Sequence, residues 1–401
     1  MTELYLLEVN RIVEWGPQIR PTRAVVDLDA ILANAEKLST LAGCPLLAVV
    51  KADAYGHGAT TVSLALESMF RANPAVLKGF AVSLLEEGIE LREAGVTMPI
   101  LVMGPSLMDA HSLIVDFDLM PMVSDVRHLE PISEAARRSE KVLGIHLKVD
   151  TGMGRLGLAP EELAAALELV NSLKGLELRG IASHLACADT DDPEDQSAMS
   201  AEQLRRFAEL ARQDKSLDQG QLASKVQFHV ANSAAILRFP TSRYDLARPG
   251  LALYGNGGTA DDGLTGALRF VSEVSQVRLV PTGESVSYGA RWTAARDSTV
   301  AIVPLGYADG LPRRSNLEGR ATVLIGGHRC PILGTVSMDM IVVDITDHQE
   351  VRLGDEVVVL GQQGGDCISV AEIAKLCGIS EYEVSCGISK RVPRRYVSEN
   401  G

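Results

Sequence analysis

From about residue 22 to residue 268, this 401-residue chain alternates short apolar runs with helical patterns, and this alternation constrains the fold most. The apolar runs, each a strand candidate, are Leu46–Lys51, Gly79–Val82, Pro99–Met103, Leu119–Val123, Gly144–Val149, Leu178–His184, Val226–Ala231 and Asp245–Tyr254. The clearest helical interval runs from Pro160 to Leu173, with Leu163, Leu167 and Val170 on one face. Strands and helices alternating in this number predict a (β/α)8 TIM-like barrel. An open doubly wound sheet is the alternative, but no G-x-G-x-x-G follows the first strand.

The pattern also predicts where the barrel begins and ends. Arg23–Asp27 is a further strand candidate, and Asp29 is the expected cap of the helix that follows it. After Leu268 the runs become short and β-branched, separated by Gly and Pro: Val274–Val280, Thr299–Pro304, Ala321–Ile325, Met340–Ile345 and Glu356–Leu360. Only Val370–Leu376 has a helical pattern there. The predicted domains are an N-terminal extension (1–21), a barrel (22–268) and a mainly β domain (269–401).

Composition excludes several classes of partner. The net charge of −14 argues against a nucleic acid or an anionic membrane, because both require concentrated Lys and Arg. No apolar window is long enough to span a bilayer, and no basic-then-apolar signal pattern opens the chain. The six cysteines form no C-x-x-C pair, which favours reduced thiols in a cytoplasmic protein over a disulfide framework or a zinc site. We therefore expect no metal.

Lys51 lies where a buried strand gives way to a glycine-punctuated loop, Lys51-Ala-Asp-Ala-Tyr55-Gly-His-Gly. Partial burial disfavours the ammonium form and frees the amine to attack a carbonyl. A lysine that lays its stem on apolar surface is the alternative reading of that residue alone. In a barrel, chemistry sits at the carboxyl ends of the strands, and His184, Asn232 and Arg248 also fall near such ends.

Three further stretches combine polar side chains with small residues at strand ends: His146-Leu-Lys148-Val-Asp150-Thr-Gly-Met-Gly-Arg155, His229-Val-Ala-Asn232-Ser233, and Asp245-Leu-Ala-Arg248-Pro-Gly250-Leu251. A serine that opens a helix after a strand offers a hydroxyl and backbone N–H groups to a phosphate. An ordinary helix cap remains the alternative for that serine, and a surface ion pair remains the alternative for each arginine.

Together with Val-Val-Lys51-Ala-Asp-Ala-Tyr-Gly-His-Gly, these stretches resemble the alanine racemases of the pyridoxal-phosphate-dependent barrel type. Ser-Tyr288-Gly, Gly-Tyr307-Ala-Asp and Ser-Met338-Asp339 extend the resemblance, which runs from about Thr22 to Val397. The chain departs from the family at Thr335 and Met340, where arginine and glutamine are common.

The resemblance implies a role for each matching residue. It places pyridoxal 5'-phosphate against Lys51, Tyr55, His184, Asn232, Ser233, Arg248, Gly250, Leu251 and Tyr382. It implies Lys51 and Tyr288 as the catalytic pair, with substrate contacts from Arg155, Tyr307, Met338 and Asp339. His184 would lie on the cofactor ring and hydrogen-bond Arg248, the arginine that faces the ring nitrogen. In the family the lysine that matches Lys148 is often carbamylated, and it holds the arginine that matches Arg155 by hydrogen bonds.

The resemblance further implies interconversion of L- and D-alanine by transfer of the α-proton between two bases, supplying D-alanine to peptidoglycan. It implies a homodimer in which each site takes Tyr288, Met338 and Asp339 from the partner. A broad-specificity amino-acid racemase is the main alternative. A barrel-type decarboxylase normally has a carboxylate where this chain has Arg248, and a non-catalytic pyridoxal-phosphate-binding protein lacks the second domain.

Overall fold

The computed structural model describes residues 19–105, 110–213, 226–258 and 262–398, which form two compact units. The barrel unit comprises Ile31–Ala54 and Ala59–Leu264. The β unit comprises the described parts of Met1–Ala30 and Thr265–Gly401, together with Tyr55–Gly58. Most of the predicted N-terminal extension, up to residue 18, lies outside the described residues. No helix of the described ranges combines the length and apolar character needed to cross a membrane.

The barrel unit is built on seven parallel strands that pair in chain order. They are Leu46–Val49, Leu77–Val82, Ile100–Val102, Met120–Val123, Leu143–Lys148, Leu176–Ala182 and Gln227–His229. Leu46–Val49 and Ile100–Val102 are buried at every position, because helices cover the outer face and side chains fill the inner one. These apolar runs therefore have no polar alternation, as the sequence indicates.

An eighth segment closes the ring of strands. The N–H groups of Asp245 and Arg248 donate to the carbonyls of Phe228 and Ala231, at 3.0 and 2.9 Å. On the other side, the N–H of Leu47 donates to the carbonyl of Ala247 at 2.8 Å. The predicted (β/α)8 barrel is confirmed. The predicted last strand, Asp245–Tyr254, is too long, because Leu251–Tyr254 turns into a 3-10 helix.

Helices join the strands of the barrel. They are Leu28–Ala42, Lys51–Gly56, Ala59–Phe70, Leu85–Glu93, His111–Asp116, Leu129–Arg138, Leu163–Ser172, Met199–Gln213 and Ser233–Arg238. The predicted helix after Pro160 begins with one 3-10 turn, Pro160–Glu162, in which the proline occupies the first position. The predicted cap Asp29 is wrong: the Asp27 carboxylate accepts the N–H of Ala30 at 3.0 Å, and Asp29 lies inside the first turn.

The β unit contains a ten-stranded sheet and a separate two-stranded hairpin. Its strands are Arg23–Asp27, Leu268–Glu273, Gln276–Val280, Ser285–Val286, Trp292–Thr293, Ser298–Val303, Thr322–Ile325, His328–Leu333, Ile341–Asp344, Glu356–Gln363, Asp366–Ile368 and Arg394–Val397. Two helices, Val370–Cys377 and Glu381–Cys386, follow the last hairpin of this sheet. The second helix is a correction, since the sequence pattern predicts only the first.

The strand Arg23–Asp27 forms as predicted but does not belong to the barrel. It pairs antiparallel with Leu268–Glu273 and parallel with Arg394–Val397. A barrel boundary at residue 22 is therefore too early, and residues 19–30 group with the β unit. The cause is pairing between distant segments: Ala24 and Val26 are fully buried in this sheet, and their alternation fits either domain equally well.

Candidate active site

Lys51 lies two residues after the end of the first barrel strand, Leu46–Val49, and opens a left-handed helical turn. Ala52, Asp53, Ala54 and Tyr55 have φ values of 51°, 54°, 52° and 55°. This conformation costs about 1–2 kcal/mol for each residue that carries a Cβ atom, so surrounding contacts must stabilise it. The Asp53 carboxylate accepts the N–H of Ala59 at 2.8 Å, at the start of the next helix. The glycine-punctuated loop predicted after Lys51 is thus a strained turn that fixes the lysine.

Lys51 lies in a cluster of cations at the carboxyl ends of the strands. Lys148 ends the strand Leu143–Lys148 and is only 6% exposed. Burial, then the charges of Arg248 and Arg155, lower the pKa of Lys148 to about 8, and Lys51 adds to the shift. Burial and these same four cations lower the pKa of His184 to about 3. The site therefore has a positive field although the whole chain is strongly acidic.

The Arg248 guanidinium is held by neutral groups. It donates to the carbonyls of Ser183, His229 and Val230, at 2.6, 3.0 and 3.3 Å. It also contacts Nδ1 of His229, and burial lowers its pKa to about 10. Among the described residues no carboxylate forms an ion pair with it. A guanidinium at this pKa stays charged at neutral pH and can only donate hydrogen bonds.

His229, rather than His184, is the histidine that hydrogen-bonds Arg248. Nε2 of His229 lies 2.8 Å from Nδ1 of His146, so the chain of contacts runs from Arg248 through His229 to His146. Burial is the main cause that lowers the pKa of both histidines, to about 3 for His146, and both are neutral. The expected hydrogen bond between His184 and Arg248 is wrong in this structure, because the Arg248 side chain is directed to His229 and to backbone carbonyls.

Ser233 lies at the centre of a cradle of donors. Its hydroxyl accepts the N–H groups of Gly250 and Ala252, at 2.9 and 3.1 Å. The predicted helix begins at Ser233 and runs to Arg238. Asn232 is its cap, since the amide oxygen accepts the N–H of Ala235 at 3.0 Å. Leu251 opens the adjoining 3-10 turn and is buried. The Ser233 hydroxyl and two peptide N–H groups thus lie side by side, and groups of these types are ones that bind a phosphate.

The loop that displays Arg155 is organised by a carboxylate. Asp150 accepts the N–H groups of Gly152, Met153 and Gly154, at 2.9, 2.7 and 2.8 Å. The N–H of Leu158 donates to the carbonyl of Lys148 at 2.8 Å and closes the loop. Because the Asp150 carboxylate is engaged by backbone N–H groups, it neutralises the neighbouring cations only in part. The Arg155 side chain is exposed.

In the β unit, Tyr288 lies at the tip of the hairpin formed by Ser285–Val286 and Trp292–Thr293. The side chain is 72% exposed. Ser287 precedes it with φ 64° and ψ 176°, a conformation that costs on the order of 1–3 kcal/mol for a residue other than glycine. The base of the hairpin is fixed, because Val286 and Trp292 pack against the cluster of Val280, Ala294, Val300 and Leu333.

The other predicted residues of the β unit form two groups. The N–H of Tyr307 donates to the carbonyl of Ser337 at 3.0 Å, next to Met338, while Asp339 binds Arg391 at 2.7 Å. The rings of Tyr55 and Tyr382 lie 5.6 Å apart at their centroids. Tyr55 is buried, whereas Tyr307, Met338 and Tyr382 are partly exposed.

Sequence reasoning missed the role of His146 and His229. Both lie on barrel strands, and His146 stands two residues before Lys148, so the period of two places both side chains on the same inner face. His229 stands three residues before Asn232 and opens the stretch His229-Val-Ala-Asn232-Ser233. Strand alternation could therefore have identified the first histidine. Its contact with the second depends on packing across the barrel.

These groups fit a phosphate-bearing aldehyde cofactor. Lys51 offers an amine close enough to Lys148 and His184 for its charge to act on both. The Ser233 cradle offers phosphate ligands, and Arg248 offers a fixed donor to a ring acceptor. The same cations suit the carboxylate of an amino acid. Acid/base chemistry at a carbon next to an amine and a carboxylate is what such an arrangement can support.

Comparison with known proteins gives the same result over most of the chain. Residues 26–257 match the family model "Alanine racemase, N-terminal domain", and residues 267–396 match "Alanine racemase, C-terminal domain". The alanine racemase of Sorangium cellulosum is 44% identical over 94% of this chain and 99% of the relative. That of Halothermothrix orenii is 37% identical over 95% and 98%, respectively.

Comparison with solved structures leads to the same family. The alanine racemase from E. faecalis superposes with a TM-score of 0.82 at 35% identity, covering 96% of this chain and all of that one. The biosynthetic alanine racemase from Pseudomonas aeruginosa superposes with a TM-score of 0.79 at 36% identity, covering 95% of this chain and 100% of that one.

Proposed function

Because the chain belongs to the alanine racemase family, we propose that it interconverts L-alanine and D-alanine with Lys51 and Tyr288 as its two acid/base groups. The chain is an isomerase of a family that depends on pyridoxal phosphate and supplies D-alanine for the cell wall. The observation that carries the assignment of residues is the cluster of Lys51, Lys148, Arg155 and Arg248 around His184.

Pyridoxal phosphate, when bound, supplies an electron sink for negative charge at the substrate α-carbon. Lys51 Nζ removes or returns the α-proton on one face, and Tyr288 Oη does so on the opposite face. Arg155 binds the substrate carboxylate. The family resemblance implies that the phosphate end would be held by Ser233, Asn232, Gly250, Leu251, Tyr55 and Tyr382. His184 would lie along the ring, and the substrate would be bordered by Tyr307, Met338 and Asp339.

The state of Lys148 follows from its surroundings. Lowering its pKa from 10.5 to about 8 raises the neutral fraction at pH 7 by roughly two to three orders of magnitude. Only the neutral amine reacts with carbon dioxide, and the resulting carbamate is an anion amid cations. We propose that this carbamate binds Arg155 through a pair of charge-assisted hydrogen bonds. Mass spectrometry of the native protein in bicarbonate should show the added group at Lys148, and a free amine there contradicts this step.

Borohydride reduction tests the covalent role of Lys51. The purified protein should be yellow, and reduction should leave the cofactor on the peptide that contains Lys51. Recovery of the adduct on another lysine would refute the assignment. Circular dichroism against a panel of L-amino acids then tests the substrate: alanine should react fastest, whereas comparable rates across the panel would indicate a broad-specificity racemase.

The family is typically dimeric, and we propose a homodimer in which Tyr288 completes the partner's site. Tyr288, Met338 and Tyr307 of the β unit are 72%, 50% and 38% exposed, so their side chains are available to a second chain. A twofold pair of chains would bury them and create two equivalent sites. A monomer in which one chain supplies both groups is the alternative.

Mixing two inactive variants distinguishes these arrangements. Lys51→Ala and Tyr288→Phe should each be nearly inactive, since each lacks one acid/base group. If the tyrosine crosses over, a mixed dimer has one site with both groups intact. Random exchange makes about half of the dimers mixed, so activity should return to roughly a quarter of wild type. Absence of recovery after demonstrated exchange would mean that one chain supplies both residues.

We also propose a cytoplasmic location. All six cysteines lie in the described residues and none is in a disulfide, and Cys44, Cys330 and Cys377 are buried. Free thiols persist where the compartment is reducing. Cell fractionation should recover the racemase activity with the cytoplasmic enzymes, and recovery outside the cytoplasm would contradict the proposal.

A further inference from the structure

We propose that Thr335 is a positioning residue that holds the backbone of the Tyr288 turn in its reactive conformation. The proposal deepens the function above and rests on Tyr288 as an acid/base group. Thr335 follows the strand His328–Leu333 and is 7% exposed. Its hydroxyl binds the main chain of the tyrosine, so it is a support for the reacting group.

Two hydrogen bonds join Thr335 to the turn in opposite directions. The Thr335 hydroxyl donates to the carbonyl of Tyr288 at 2.9 Å. The Ser287 hydroxyl donates to the carbonyl of Thr335 at 2.5 Å. Each side chain thus donates a hydrogen bond to the backbone of the other segment. Such a reciprocal pair restrains the Ser287 side chain and the peptide between Tyr288 and Gly289, and so restrains the turn on both sides of the Tyr288 Cα atom.

The turn needs this support because its own conformation is unfavourable. Ser287 has φ 64° with an extended ψ, and Ala290 has φ 45°, both in the region that favours glycine. The Tyr288 side chain is largely exposed in the chain itself and gains little from packing there. Without the two bonds, the peptide could relax toward an ordinary turn and carry Tyr288 Oη away from its place.

The neighbouring backbone is shaped for this contact. Gly334 has φ 66°, and a Cβ atom there would lie 3.0 Å from Ser287 Cβ and from the carbonyl oxygen of Val286. A residue without a side chain is therefore required for the segment before Thr335 to lie against the hairpin. Val286 and Trp292 fix the base of the hairpin by packing, while Thr335 and Ser287 fix its tip.

The chemistry required at residue 335 is a hydroxyl on a short side chain. Valine has the same shape as threonine but cannot donate to the Tyr288 carbonyl, whereas serine keeps the donor. Thr293 offers a matched control in the same hairpin. Its hydroxyl lies 2.8 Å from the Ser285 hydroxyl at the exposed base and does not bind the backbone of the turn.

The test compares Thr335→Val, Thr335→Ser and Thr293→Val as holoenzymes. Thr335→Val should lower kcat about 10- to 100-fold with KM changed less than about threefold, because misplacing a reacting group by about 1 Å affects the transition state. Thr335→Ser should recover kcat to within about threefold of wild type, and Thr293→Val should match wild type. Hydrogen exchange at the amides of residues 288–290 should quicken only in Thr335→Val.

The outcomes separate this proposal from the proposed function. If Tyr288→Phe is inactive while Thr335→Val keeps full kcat and normal exchange, the positioning role is wrong and the function stands. If Tyr288→Phe stays active, the catalytic assignment of Tyr288 is wrong, and exchange at residues 288–290 alone decides whether Thr335 holds the turn. Equal loss of kcat in Thr335→Val and Thr293→Val would also overturn the proposal, since it would indicate general destabilisation of the hairpin.

Discussion

In the part of the chain that the structure describes, Arg248 in the interior of the barrel unit lacks a carboxylate partner, whereas Arg329 at the surface of the β unit is paired with carboxylates. In the barrel, Arg248 and Lys148 are buried among carbonyls and neutral histidines, and the described residues offer Arg248 no carboxylate within ion-pair distance. In the β unit, Arg329 binds both Asp366 and Glu372 at the surface, which raises its pKa. Uncompensated cations favour an anionic ligand, whereas compensated ones stabilise the fold modestly.

Lowering the pH should unfold the barrel unit before it unfolds the β unit, and this difference in stability is the largest expected effect. The folded pKa values of His146 and His184 are about 3, against 6.5 in a model peptide. The unfolded chain therefore binds protons below about pH 6.5 that the folded barrel does not bind until about pH 3, so stability falls as pH falls through that range.

Hydrogen exchange from pH 7 to 4 would measure this difference, with barrel amides expected to lose protection first. His146→Asn should reduce the dependence of unfolding free energy on pH, because it removes a group whose pKa is lowered by folding. Equal loss of protection in both units would show that the buried histidines do not dominate acid unfolding.

Substituting one arginine in each unit tests the difference between a cation held by neutral groups and a cation paired with carboxylates. Arg248→Leu should lower kcat/KM for alanine by about 100-fold or more, because it removes a fixed donor from the site. Arg329→Leu should change kcat/KM less than about twofold and stability by about 1 kcal/mol, as expected for an exposed ion pair. Steady-state racemisation and urea unfolding measure both. A comparable loss of activity in the two variants would refute the distinction between buried and surface cations.

Packing offers a third comparison. A Cβ atom on Gly180 in the barrel would lie 2.4 Å from Nδ1 of His146, whereas one on Gly365 in the β unit would meet no atom within 4 Å. Gly180→Ala should lower the free energy of unfolding by about 1–3 kcal/mol through overpacking, and Gly365→Ala should leave it nearly unchanged. Urea denaturation checks both values. A neutral Gly180→Ala would mean that His146 has room to move.

The smallest expected effect concerns the strain after Lys51. Ala52 is exposed and has φ 51°, so Ala52→Gly should raise the free energy of unfolding by up to about 1 kcal/mol. Ala33 is exposed in the ordinary helix Leu28–Ala42, and Ala33→Gly should lower that free energy by about 1 kcal/mol. Thermal unfolding of the two variants should shift in opposite directions, and shifts of the same sign would count against strain at Ala52.

Local patterns predicted much of the barrel and the position of Lys51. Continuous apolar runs are enough to identify strands covered on both faces, and Pro160 marks a helix start, because both signals depend on neighbours in the sequence. The left-handed turn after Lys51 could not be predicted, since alanine and aspartate normally avoid it and only tertiary contacts maintain it. The contact of Arg248 with His229 depends on geometry across the barrel in the same way.

The pairing of the strand Arg23–Asp27 determines when the sheet of the β unit can be completed during synthesis of the chain. It lies between Leu268–Glu273 and Arg394–Val397 in one sheet, so an early-synthesised strand must wait for both late-synthesised partners. During translation the barrel segments emerge while this strand is still unpaired. The β unit therefore cannot be completed until Arg394–Val397 has emerged, and a fragment beginning at residue 265 would lack an interior strand of its own sheet.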